Sequence, residues 1–239
     1  MSDRATTPPD LAVILAGAGE GRRMEGRGPK ALLEVGGSTL LERVASTFLT
    51  HPAVGEIVAV VPERLVAEAR SRLDALANPR GARVTAIAGG ATRQESVRLG
   101  MGALQRSLSY IAVHDVARAL VDGDLISRVL VAARETGAAI PALPLRDTVK
   151  EVDRGRIVRT IPRDRLQGAQ TPQIFARDIL ARAHARPDAT DAGATDDAGL
   201  VEAAGLAVAV VPGDPSNLKL TEPSDVIAIE SHLRAGEAS

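Results

Sequence analysis

Cysteine is absent from the 239 residues. That excludes disulfides, thiolate metal centres and a cysteine nucleophile, and it suits a cytoplasmic protein. Tryptophan is absent too, and the aromatics are Tyr110, Phe48 and Phe175 alone. The core must therefore be built from Leu, Val, Ile and Ala, and base stacking on single-stranded nucleic acid has almost nothing to work with. Neither charge sign is in excess: Lys and Arg number 29 against 30 Asp and Glu, a net charge of −1. Such a balance gives no chain-wide attraction to nucleic acid or to an anionic membrane. Any bound anion must be caught by a local cluster of cations. No apolar run approaches the ~20 residues that span a bilayer. The opening stretch, residues 1–10, is polar, carries prolines and lacks the apolar segment of a signal peptide, so it reads as a flexible tail.

What is present points to one α/β domain, a class that commonly runs to ~200–250 residues. Leu11 to Ala16 is a short apolar, β-branched run that ends in glycines, as a buried parallel strand does. Further strands are expected at Glu56–Val61, Arg83–Ile87, Tyr110–Val113, Ala138–Ala142 and Ala207–Val211. Helical periodicity falls between them, at Thr39–Leu49 (Thr39 and Glu42 have capping-box spacing), Leu65–Ala77, Thr92–Leu104 and Asp124–Glu135. Later helices are expected at Ala176–Ala185, Asp196–Ala204 and Glu222–Leu233, and residues 234–239 form a small polar tail. The alternation predicts right-handed βαβ units and a mostly parallel, twisted sheet with helices on both faces. One segment breaks it. Thr148 to Arg159 alternates apolar and polar residues about a turn at Asp153-Arg154-Gly155, the pattern of a β-hairpin with one apolar and one charged face. Two strands alone are marginal, so this arm, at about residues 145–165, needs a surface to lean on, such as a second subunit.

In a doubly wound sheet ligands sit beyond the carboxyl ends of the strands, and the segments rich in chemistry fall there. Leu15-Ala-Gly-Ala-Gly-Glu-Gly-Arg-Arg-Met24, continuing to Pro29-Lys30, lets backbone amides approach a phosphate chain. It is not a Rossmann fingerprint, because Arg22 stands at the third glycine position, and no Gly-Lys-Ser/Thr follows to make a P-loop. The cations Arg22 and Lys30 would hold a triphosphate and stabilise a leaving pyrophosphate, although a glycine turn with solvated arginines is the simpler reading of this segment alone. Gly89-Gly-Ala-Thr-Arg-Gln-Glu-Ser-Val97 offers close backbone approach and a hydroxyl, Ser96, on the first turns of a helix; by itself it is an ordinary βα turn. In Val113-His-Asp-Val-Ala-Arg118, Asp115 is placed to ligate Mg²⁺, which takes one or two carboxylates plus phosphate oxygens. The plainer alternatives are a helix cap for Asp115 and a core position for His114.

Taken in order, Ala-Gly-x-Gly-x-Gly-Arg-Arg-Met…Pro-Lys, Gly-Gly-x-x-Arg-x-x-Ser-Val, His-Asp-x-Ala-Arg, Arg-Asp-Thr, Thr-Pro-Gln-x-Phe, Thr-Asp and Asn-x-Lys resemble one family. It is the 2-C-methyl-D-erythritol 4-phosphate cytidylyltransferases of the non-mevalonate isoprenoid pathway, and the resemblance runs from about Leu11 to Leu233. It implies a Rossmann-like nucleotidyltransferase fold with a protruding arm, Mg²⁺ as cofactor and a homodimer joined through the arm. By the same resemblance Ala16, Gly17, Ala18, Gly19 and Gly21 line the CTP site, and Arg22 and Lys30 hold its phosphates. Gly90, Ala91 and Ser96 match the cytosine-reading set, Asp115 the metal-associated carboxylate, and Lys219 the lysine near the α-phosphate. Arg118, Thr148, Arg163, Thr171 and Thr195 match positions on the sugar-phosphate side. Ala16 stands where Pro is frequent in the family, Gly17 where Ala is usual, Ala31 where Gln often follows Pro-Lys, and Ala119 where Pro commonly ends the histidine motif.

The implied reaction needs no nucleophilic side chain. Methylerythritol phosphate, with a second pKa near ~6, is largely a dianion at neutral pH and attacks the α-phosphorus of CTP in line. Three other readings remain at this point: a cytidylyltransferase for a polyol phosphate such as ribitol 5-phosphate, a dinucleotide-binding oxidoreductase, and a nucleotide sensor without turnover.

Overall fold

Leu11–Ala16 (β1) lies at the centre of the molecule, with Leu11 to Leu15 wholly inaccessible to solvent. The computed structural model describes residues 8–19, 29–186 and 194–237. After β1 come a short hairpin, Glu34–Val35 (β2) and Ser38–Thr39 (β3), and the helix Leu40–Thr50 (α1). The expected capping box closes its start: Glu42 N donates to Thr39 Oγ1 at 3.2 Å and Thr39 N donates to Glu42 Oε2 at 2.9 Å. Val54–Val61 (β4), Val66–Asp74 (α2), Arg83–Ala88 (β5), Arg93–Ala103 (α3), Tyr110–Asp115 (β6), Gly123–Thr136 (α4) and Ala138–Pro144 (β7) continue the alternation. Val149–Asp153 (β8) and Arg156–Ile161 (β9) form the arm, and Gln167–Ala169 (β10) and Gln173–Ala176 (β11) bring the chain back to the sheet. Arg177–His184 (α5), Asp197–Ala203 (α6), Ala209–Pro212 (β12) and Pro223–Glu237 (α7) complete it.

The sheet has eight strands in the order β10-β7-β11-β6-β1-β4-β5, with β12 paired to β7. β6, β1, β4 and β5 are parallel neighbours, and β12 is parallel to β7. The strand alternation anticipates this parallel body. It does not anticipate β11, which is inserted antiparallel between β6 and β7, or β10, which pairs antiparallel with β7. Alternating side chains send Leu11, Val13 and Leu15 into one core with α1, α2 and α4, and Ala12 and Ile14 into another with α3, α5 and α6. Helices thus cover both faces. No helix among the described residues is long and apolar enough to cross a membrane.

The arm is a separate two-stranded sheet whose turn, at Arg154 (φ 46°) and Gly155 (φ 77°), uses the left-handed pair that a tight hairpin requires. Its faces differ from the expected apolar and charged division. A register shift between Glu151 and Val152 brings Glu151 opposite Arg159 and Val152 opposite Ile157. The Glu151–Arg159 ion pair consequently shares a face with Val149 and Ile161, opposite Val152 and Ile157, and Val158 is left without a partner across the ladder. Val152, Ile157 and Val158 are all more than half exposed.

Both chain ends extend the ordered body beyond the expected limits. Asp10, the last residue of the expected tail, donates its N–H to Ala53 O at 3.0 Å and pairs with Arg134 at 2.8 Å. Helix α7 runs past Leu233 to Glu237, into the expected C-terminal tail, where Arg234 approaches Glu230 one turn earlier at 3.9 Å.

Candidate active site

The carboxyl ends of β1, β4, β5 and β6 open into a cavity of about 980 Å³, a size suited to a nucleotide. Its floor is the loop after β1. Gly17 N donates to Val60 O at 2.8 Å and Val116 N donates to Ala16 O at 3.1 Å, so the loop is tied to both neighbouring strands. A second wall is the loop after β5, where Gly89 allows close approach: a Cβ there would lie 2.3 Å from that of Ala18. Ser96 holds this wall in shape, its Oγ accepting from Gly90 N at 3.1 Å and donating to Thr92 O at 2.8 Å.

The charged groups come from three distant parts of the chain. Lys30 Nζ donates to the carbonyl oxygens of Leu220 at 2.8 Å and Thr221 at 3.1 Å. Lys219 Nζ lies 2.7 Å from Asp115 Oδ2, and Arg93 Nε lies 3.2 Å from Asp115 Oδ1. Burial raises the Asp115 carboxyl's pKa, but the charges of Arg93 and Lys219 outweigh it and hold it down at about 2. Asp115 is therefore a carboxylate at all physiological pH values. It caps no helix, since Asp122 caps α4.

Of the residues singled out in the sequence, Ala16, Gly17, Ala18, Gly19, Lys30, Gly90, Ala91, Ser96, Asp115 and Lys219 all line this cavity. Gly21 and Arg22 lie outside the described residues. The residues assigned to the sugar-phosphate side are not among its lining. Arg118 ties the end of β10 to the loop before α7, donating to Asn217 O at 2.8 Å and Ala169 O at 3.2 Å, and burial lowers its pKa. Thr171 is buried, and its Oγ1 accepts from Asp115 N at 3.1 Å and lies 3.0 Å from His114 Nδ1. Thr148 and Arg163 are exposed at the base of the arm, where Arg163 donates to Arg146 O, and Thr195 is exposed before α6.

His114 is a core residue. It has no solvent exposure, its Nε2 faces Arg118 O at 3.1 Å, and burial pushes its pKa down to about 4. Nε2 carries the proton, because a carbonyl oxygen can only accept, and Nδ1 then accepts from the Thr171 hydroxyl. A neutral, enclosed imidazole with both nitrogens engaged is no general base.

Three residues without an assigned role also shape the site: Gly89, Arg93 and Asp197. The first two lie inside the Gly-Gly-x-x-Arg signature, which marks them without saying what they do. Asp197 is fully buried at the first turn of α6 and pairs with Arg93 at 2.6 Å and His184 at 3.1 Å. No spacing in the sequence announces that contact.

A cleft walled by glycine loops, with cations ranged round one carboxylate and with no histidine or cysteine among its described lining, suits the binding and transfer of a phosphate-bearing group. Among the described residues no three His, Asp or Glu side chains gather as a metal site. One carboxylate beside a triphosphate nevertheless fits Mg²⁺, which takes most of its ligands from substrate and water.

Comparison with known proteins agrees with this geometry. The family model for 2-C-methyl-D-erythritol 4-phosphate cytidylyltransferase matches residues 11–235. A protein of that name from Frankia casuarinae is 43% identical over 227 residues, covering 94% of this chain and 82% of the relative. A bifunctional enzyme IspD/IspF from Clavibacter michiganensis is 44% identical, and the match covers 98% of this chain but 58% of that longer protein. The crystal structure of the cytidylyltransferase from Thermus thermophilus superposes with a TM-score of 0.75 at 36% identity, over 95% of this chain and all of that one.

Proposed function

The chain belongs to the 2-C-methyl-D-erythritol 4-phosphate cytidylyltransferase family, and from that premise we infer that it transfers the cytidylyl group of CTP to 2-C-methyl-D-erythritol 4-phosphate. The products are 4-diphosphocytidyl-2-C-methyl-D-erythritol and pyrophosphate. The observation that carries this reading is that Lys30, Lys219 and Asp115 line one glycine-walled cavity, with Lys219 paired to Asp115.

The chemistry follows from the charges. A phosphate monoester is largely a dianion at neutral pH, so the acceptor needs no base to be a nucleophile. It attacks the α-phosphorus in line with the departing pyrophosphate. Negative charge builds on the equatorial and leaving oxygens, and Lys30, Lys219 and, from the sequence motif, Arg22 are the groups to offset it. Gly90, Ala91 and Ser96 form the wall against which the cytosine is read. Asp115 would hold Mg²⁺, whose part when bound is to neutralise phosphate charge.

Thr148 and Arg163 sit outside the cavity of their own protomer. This supports a homodimer in which the arm carries them to the partner's acceptor site, with the apolar residues of the arm covered on the way. Arg118, Thr171 and Thr195 complete the acceptor side, Arg118 and Thr171 by fixing the loops around Asp115 and Lys219. The enzyme is taken as cytoplasmic and works on CTP and a sugar phosphate, with no nucleic acid or membrane partner.

The test is a pair of assays with CTP and Mg²⁺, one with methylerythritol phosphate and one with ribitol 5-phosphate, the product identified by mass. Turnover with the first and not the second is expected. Turnover with ribitol 5-phosphate alone would overturn the choice of acceptor.

A further inference from the structure

Four side chains of alternating charge, ending on a histidine, run in file from the cavity to the helix layer. Lys219 Nζ meets Asp115 Oδ2 at 2.7 Å, Asp115 Oδ1 meets Arg93 Nε at 3.2 Å, Arg93 Nη1 meets Asp197 Oδ2 at 2.6 Å, and Asp197 Oδ1 meets His184 Nε2 at 3.1 Å. The far end of the file is deeply placed: Asp197 has no solvent exposure and the His184 side chain only 6%. The near end is open to solvent, for the Lys219 side chain is 49% exposed.

Two features of this file call for an explanation. A wholly buried carboxylate is costly unless it is paired and hydrogen-bonded, yet Asp197 lies outside the cavity lining. Arg93, moreover, is the first residue of α3, the end of a helix where a cation is disfavoured by the peptide dipoles. Its side chain leaves the helix to span two carboxylates carried by different elements, one on β6 and one on α6. The guanidinium is suited to this, since its planar fork keeps its donors in fixed directions, as an ammonium cannot.

We propose that Arg93 is a positioning residue for the transfer reaction: anchored on buried Asp197, it fixes the Asp115 carboxylate, which in turn places the Lys219 ammonium in the cleft. A carboxylate held at one oxygen can turn about its last, soft torsion. Held at both, it presents Oδ2 in one direction, and the lysine that follows it is held where the phosphates must lie. Asp197 and His184 supply the rigid end of the lever. The proposal rests on the transfer reaction inferred above.

The experiment compares Arg93→Gln and Arg93→Lys in the wild-type and in the Lys219→Ala background, reading kcat, KM for CTP and melting temperature. In the wild-type background both substitutions should lower kcat tenfold or more, with KM for CTP changed less than threefold. In the Lys219→Ala background, where there is no lysine left to place, the same substitutions should cost at most twofold. An equal loss in both backgrounds, or a folded Arg93→Lys variant with wild-type kcat, would overturn the proposal. Should Arg93→Gln fail to fold, because Asp197 is left with His184 alone, Arg93→Lys carries the comparison. Asp197→Asn adds a readout away from the cavity: a tenfold loss of kcat that disappears in the Lys219→Ala background is expected, and a loss of melting temperature alone would count against the lever. A wild-type enzyme that releases no pyrophosphate from CTP and methylerythritol phosphate would instead refute the reaction, so the two failures are distinct.

Discussion

Lys30 donates from its Nζ to the carbonyl of Leu220 at 2.8 Å, so the residue that follows Lys219 in the chain is tied to the other lysine of the cleft. The two cations are 189 positions apart by their numbering, yet hydrogen bonds from Lys30 to Leu220 and Thr221 link the segments that carry them. Lys30 thus lines the cavity from a position fixed by the segment that carries Lys219. Its fixed position is what lets it meet charge that develops only in the transition state.

Lys30→Ala should therefore cut kcat by about 10²–10³, the range found when one preorganised donor to a developing oxyanion is removed. Melting temperature should change little, because Lys30 is only half-buried. Steady-state kinetics and thermal denaturation on the same preparation check both halves.

Asp115→Asn removes the charge that Arg93 and Lys219 share. The Mg²⁺ concentration for half-maximal rate should rise at least tenfold, and kcat should fall with it. An unchanged Mg²⁺ titration beside a lowered kcat would leave Asp115 as the tether of Lys219 alone.

His114 gives stability a pH dependence whose sign can be worked out. Burial lowers its pKa from an ordinary 6.5 to about 4, so the folded protein refuses a proton that the unfolded chain accepts. The contribution of the neutral ring is complete above about pH 6.5 and is lost as pH falls toward 4, amounting to about 3 kcal/mol at most. Urea denaturation at pH 7 and pH 4.5 should show a smaller difference in His114→Gln than in the wild type, and equal differences would contradict the assignment.

The arm predicts an oligomer. Ile157→Asp should shift the protein from dimer to monomer in sedimentation, with kcat falling at least tenfold and CTP affinity retained, since no arm residue lines the cavity. A monomeric wild type of full activity would remove the arm from the acceptor site.

Much of this was legible in the sequence, and the reasons differ between elements. β1 is a continuous apolar run that ends in glycine, and β4 carries another from Ile57 to Val61 that ends at Pro62, as buried parallel strands do. β11 was not legible. Between Thr171-Pro172 and α5 it offers only Ile174 and Phe175 as large apolar residues, and Gln173 is used to bond Ala198 N at 3.0 Å and Asp196 at 2.7 Å. Its place between β6 and β7 is decided by pairing with distant strands. The glycine loops and Asp115 could be placed because they sit at strand ends, and Lys30 because it stands in the Pro29-Lys30 pair that continues the first glycine loop. Lys219 needed the family pattern. The Arg93–Asp197 pair joins residues 104 apart in sequence, and no periodicity or motif records such a contact.

The most direct test of the account is pyrophosphate release measured with CTP alone and with CTP plus methylerythritol phosphate, under Mg²⁺. The central claim is that the acceptor's own phosphate is the nucleophile. It predicts no release with CTP alone and one pyrophosphate for each diphosphocytidyl product when both substrates are present. A burst of one pyrophosphate per site from CTP alone would reveal a nucleophile on the enzyme and contradict the account, as would the absence of release with both.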